Sequence, residues 1–118
     1  MSIQIQDIID DIITIEVKGV ISPKELKRSQ DQLLEHLQES EGGSLLVNCE
    51  NLEGFGKGDW ADMSFQLQAD DLIRKMAIIG KKESEGEAMM FTGQGRRPFP
   101  IQFYEVGHMG DAYAWLKA

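Results

Sequence analysis

Apolar residues change their period early in this chain, and that change restricts its fold more than any other feature. Ile3 and Ile5, then Ile13, Ile15 and Val17, recur at every second position, with Asp10-Asp11 between the two runs. Side chains of a strand point alternately to its two faces, so each run reads as a strand with one apolar face and the acidic pair as the tight turn between them. At Ser22-Pro23-Lys24-Glu25 the alternation ends. A serine before a proline at the first helical position, with glutamate three residues on, has the form of a helix N-terminus closed by a capping box. Leu26, Leu33, Leu34 and Leu37 then share one helical face, and Gly42-Gly43 is predicted to stop the helix after an acidic last turn that the helix dipole disfavours. Leu45-Leu46-Val47 follows as a short run apolar on both faces, which points to a central, buried strand.

Strand and helix alternate twice more. Helix two is placed near Asp59 to Asp71, strand four at Lys75 to Gly80, and helix three between the capping pair Ser84 and Glu87 and a Gly93-Gln94-Gly95 stop. Ile101 to Val106 supplies the fifth strand. Ala112, Trp115 and Leu116 give a closing helix its apolar stripe, with Asp111 in the first turn, where a negative charge is favoured. The predicted fold is α/β: a mixed five-stranded sheet with an N-terminal hairpin, about four helices and right-handed crossovers. With 118 residues the chain fits one domain over residues 1–118.

Composition removes several functions. Twelve basic against 20 acidic side chains leave a net charge of -8, a field that repels nucleic-acid phosphates and anionic membrane surfaces. The one cysteine, Cys49, can form neither an internal disulfide nor a multi-thiolate zinc site, which suits a reducing, cytoplasmic setting. The first residues lack the basic start and unbroken apolar run of a signal peptide, and no stretch is long enough for stable membrane insertion. No metal or cofactor motif stands in the sequence, so neither is expected.

Gly19 with Ile21-Ser22-Pro23, Leu52-Glu53-Gly54-Phe55 with Trp60, Lys75 to Gly80, and Ala112 to Leu116 follow one another in an order and spacing that resembles the SpoIIAA-like family. Its relatives include the STAS domains of anti-sigma-factor antagonists and sulfate transporters. The resemblance covers nearly the whole chain and implies a small, non-enzymatic, cytoplasmic α/β domain that acts as a binding module or a phosphorylation switch. In the antagonists a phosphorylatable serine opens the helix after the third strand, whereas here that segment reads Gly54-Phe55-Gly56-Lys57-Gly58-Asp59. With no hydroxyl there, the phosphoswitch is not expected to carry over.

Candidate sites follow from local chemistry. Glycines at alternate positions before a helix can present N–H groups to an anion, which makes Gly56, Lys57 and Gly58 an anion-binding candidate, against a plain turn flanked by Glu53 and Asp59. Parallel strands would bring Cys49, Lys81-Lys82 and His108 to one carboxyl edge, the place where an enzyme of this class would work. No spacing ties His108 to Cys49, and the simpler reading is a small buried cysteine and a helix-entry histidine, with His36 exposed on helix one. Arg96-Arg97 could grip an anion or lie solvated. Helix two carries two apolar stripes, Trp60, Met63 and Leu67 on one and Ala61, Phe65, Ala69 and Leu72 on the other, beside an unusually apolar helix three with Met89, Met90 and Phe91. One stripe packs on the sheet. Trp60, Met63, Phe65, Met89, Met90 and Phe91 are therefore the expected contact site for an apolar small molecule, a protein partner or a second copy in a homo-oligomer, the alternative being that helices two and three cover each other as core above the sheet.

Overall fold

The computed structural model describes residues 2–58, 64–92 and 97–118. Strands β1 (Ser2–Ile9) and β2 (Ile12–Ile21) form the expected antiparallel hairpin. Asp10 and Asp11 turn it with φ of 52° and 64°, the left-handed pair of a type I′ turn whose twist matches that of its strands. Helix α1 (Pro23–Glu39) starts at Ser22, whose Oγ accepts the Glu25 N–H at 3.2 Å. Strand β3 (Gly43–Phe55) is far longer than Leu45-Leu46-Val47 suggested. Helix α2 (Ser64–Ala69) runs into a 3-10 turn, Asp70–Leu72, ahead of strand β4 (Ile73–Gly80). A second such turn, Lys82–Ser84, leads into helix α3 (Glu85–Thr92). Strand β5 (Ile101–Glu105) and helix α4 (Met109–Lys117) complete the order.

The end of α1 departs from expectation. Ser40 is its cap and Glu41, at φ 59°, occupies the left-handed position that glycine normally takes. The Gly42 N–H then bonds the Leu37 carbonyl at 2.8 Å and the Glu41 N–H the Gln38 carbonyl at 3.4 Å, the two bonds of a Schellman stop. The helix thus ends at Glu39, and its left-handed residue stands one position before the first glycine.

The sheet runs in chain order, β1-β2-β3-β4-β5, with every pair after the hairpin parallel. Three successive crossovers stepping the same way across a sheet place their helices on one face, as connections of a single hand require. That face holds the larger core, in which Ile13, Leu45, Met76 and Ile101 pack with Leu33 and Leu37 of α1, Ala69 of α2 and Ala88 of α3. The opposite face holds a smaller core, Ile12, Leu46, Ala77 and Ile79 beneath Ala112 and Leu116 of α4. Tyr113 Oη and Thr14 Oγ1 share a hydrogen bond of 2.8 Å there, and Lys75 Nζ donates to the Trp115 and Ala118 carbonyls at the end of α4.

Candidate functional site

The face under α1 and α3 is incompletely filled. A cavity of about 210 Å³ lies there, floored by Ile15, Val47 and Ile78, which stand side by side on three adjacent strands. Leu26, Gln30 and Leu33 of α1 form one wall, Ala88 and Thr92 of α3 another, and Ile3 and Ile5 of the hairpin close a side. Val47, in the middle of the central strand, is only half-buried because it faces this space.

The far part of β3 is shaped by two bulges. Glu16 pairs with Asn48 but Lys18 with Asn51, and Gly19 pairs with Leu52 but Val20 with Gly54, so β3 carries one extra residue at each irregularity. Each extra residue resets which side chains face the helices. Cys49, Leu52 and Phe55, three residues apart, consequently all line the cavity. The first bulge is closed locally: buried Asn48 accepts the Glu50 N–H on its Oδ1 at 3.0 Å.

Arg97 is the only charged side chain lining the cavity among the described residues, and its side chain is 7% exposed. Nε donates to Asp70 Oδ1 at 3.0 Å and Oδ2 at 3.2 Å, Nη2 donates to Oδ1 as well, and Nη1 donates to the Thr92 carbonyl at 3.0 Å. The Phe99 ring lies 4.8 Å from the guanidinium carbon. Arg97 therefore fastens the turn after α2 to the last residue of α3. A solvated arginine was the simpler expectation; the carboxylate it grips is the chain's own.

A smaller cavity of about 90 Å³ adjoins the first through Cys49, Leu52, Phe55 and Ala88, and adds Glu53, Lys81 and Ser84. This is the carboxyl edge where acid and base chemistry would sit. Burial pushes the Cys49 thiol up to about 11, so it stays protonated and unreactive near neutrality. His108 stands at the entry of α4 and bonds Asp111 at 3.2 Å in an exposed position. His36, expected exposed, is half-buried.

Trp60 and Met63 lie outside the described residues, as do the side chains of Phe65, Met90 and Phe91. Met89 is half-buried and packs against the larger core. Leu67, expected on one α2 stripe, is 86% exposed and Ala69, expected on the other, is fully buried. Gly56 donates its N–H to the Ile21 carbonyl at 2.8 Å, which takes that donor from any anion, and Lys57 is exposed. At Gly58 an added Cβ would meet Pro23 Cγ at 2.7 Å, so close packing on the start of α1 accounts for that glycine. Sequence reasoning missed the cavity and Arg97's place in it. Arg97 followed by Phe99 was the one available signal, since an aromatic two residues on can cover a buried guanidinium.

Among the described residues no group of three His, Cys, Asp or Glu side chains could hold a metal ion, and no helix is long and apolar enough to cross a membrane. The architecture defines a small α/β domain with a mixed sheet and, among the described residues, three helices on one face and one on the other. The SpoIIAA-like family model matches residues 12–117, and the chain belongs to that family. Similar solved structures include a protein of the DUF3478 family with a SpoIIAA-like fold from Shewanella loihica PV-4, at 22% identity and TM-score 0.73 over 98% of this chain and 92% of that one. The anti-sigma factor antagonist SpoIIAA in its unphosphorylated form is similar at 8% identity and TM-score 0.65, over 97% and 98% of the two chains. The Bacillus cell fate determinant SpoIIAA in its phosphorylated form is similar at 10% identity and TM-score 0.62, over 97% and 99%. No curated protein matches by sequence.

Proposed function

We propose that this protein is a non-enzymatic, cytoplasmic binding module that holds an apolar small molecule between the sheet and helices α1 and α3. The cavity of about 210 Å³ carries this reading. A dry cavity of about 150 Å³ lined by aliphatic side chains admits benzene, so a space of this size suits a molecule somewhat larger. The walls are aliphatic except for a few polar groups, the arrangement that orients a small ligand. A native mass spectrum of the freshly purified protein should show a small-molecule adduct that is lost on denaturation. A bare chain mass, together with no saturable uptake of acetophenone, overturns the reading.

A second reading, contact with a protein partner or a second copy, is favoured by Leu67, exposed on the outer stripe of α2. Sedimentation of wild type and Leu67→Glu tests it: loss of a complex supports the contact, an unchanged single species removes it. The fold shared with anti-sigma-factor antagonists supports a regulatory role in general terms, while Gly56-Lys57-Gly58 offers no hydroxyl after β3. Phosphopeptide mapping after co-expression with an antagonist-directed kinase should find no phosphoryl group on residues 54–59 or on Ser64; a modified Ser64 that alters binding overturns this.

A further inference from the structure

We propose that Arg97 makes the cavity selective for apolar molecules carrying an uncharged hydrogen-bond acceptor, such as a ketone or ester carbonyl, over both hydrocarbons and carboxylates. This rests on the cavity being a binding site and names the class of ligand it takes. A guanidinium carries five N–H groups. Among the described residues Asp70 and Thr92 accept from Nε and from one N–H each of Nη1 and Nη2, which leaves one N–H on each terminal nitrogen without an acceptor among them, on a side chain that lines the cavity.

The other polar groups of the lining do not compete. The Ser29 hydroxyl donates to the Glu25 carbonyl at 3.0 Å and the Thr92 hydroxyl to the Ala88 carbonyl at 2.9 Å. Gln32 is exposed and Gln30 half-buried on α1, so both reach water. A hydrocarbon entering the cavity would strip water from Arg97 and leave its remaining donors unmet, which costs binding energy. A carboxylate meets the opposite difficulty. Asp70 already matches the Arg97 charge through both of its oxygens, so a second anion would lie in an apolar space beside Asp70 without a countercharge, in a chain of net charge -8. A neutral carbonyl accepts the open N–H and adds no charge.

Three isosteric probes separate these cases: acetophenone, isopropylbenzene and benzoate, titrated calorimetrically into the full chain. Acetophenone should bind about tenfold tighter than either of the others, the effect of one hydrogen bond from a charged donor. Asp70→Asn removes the matching charge and should move benzoate to first place. Arg97→Met combined with Asp70→Leu leaves no lone buried charge and should bring acetophenone and isopropylbenzene to within about twofold of each other. If either variant fails to fold, the wild-type ranking decides alone. Equal binding of acetophenone and isopropylbenzene to wild type, or benzoate binding tightest, overturns the selectivity and leaves the binding module standing. Binding of none of the three overturns both.

Discussion

Cys49 couples the cavity wall to pH. Its thiol ionises near 9.0 in an open chain and at about 11 when folded, because burial penalises the thiolate. The folded state holds this proton more tightly, so the contribution to stability is complete below pH 9.0 and is lost as pH rises towards 11. Two pH units correspond to about 2 to 3 kcal/mol. Urea unfolding of wild type should weaken across this range, and Cys49→Ala should flatten that part of the profile; identical profiles would show that the thiol is not desolvated. Glu41 is a second residue with a measurable strain. A side chain in the left-handed region costs about 1 kcal/mol relative to glycine, so Glu41→Gly should raise the thermal midpoint by a few degrees. The burial of Cys49 was legible in the sequence, whereas the left-handed Glu41 was not. Gly42-Gly43 advertised the helix stop, but which residue turns left-handed depends on where the Leu37 and Gln38 carbonyls find their donors. Arg97 read as a loop charge because its partner Asp70 is distant in sequence and meets it only once α2 and α3 have docked.

Elements were readable wherever one period persisted. Ile3 and Ile5 on one strand and Ile13, Ile15 and Val17 on the other alternate on either side of the Asp10-Asp11 turn, and Ser22-Pro23 announces α1, so both are found where expected. Strand β3 extends beyond its apolar run without a visible period, because two bulges replace the period of two with steps of three at Cys49, Leu52 and Phe55. Its first half was plain, since Leu45 and Leu46 are buried on opposite faces at 1% and 0% exposure. Leu46 lies under α4, away from the cavity, so Leu46→Ala should cost about 2 to 5 kcal/mol in denaturant titration. On α2, Leu67 is exposed and Ala69 buried, while the other residues of the two expected stripes on that helix lie outside the described residues or have undescribed side chains. Ala69→Glu would bury an unpaired charge and should unfold the domain, whereas Leu67→Glu should change stability by less than about 0.5 kcal/mol. Equal midpoints for the two variants would contradict the orientation of the helix.

At the scale of the whole molecule, a hairpin followed by strand-and-helix units led to a mixed five-stranded sheet, because short connections and a single crossover hand leave few alternatives. The cavity could not be read the same way. Ile15, Val47 and Ile78 look like ordinary core residues, and whether the space above them is filled depends on how α1 and α3 sit on a sheet curved by bulges. That unfilled space is the basis of the functional reading, and one variant addresses it directly. Val47→Phe places a ring over the middle of the floor and should fill the cavity while keeping the fold. Backbone amide spectra of wild type and Val47→Phe should be recorded during titration with acetophenone. The expected result is saturable shifts at Ile15, Cys49 and Ile78 in wild type and none in a folded Val47→Phe; equal shifts in both proteins, or none in wild type, would contradict a ligand held in this cavity.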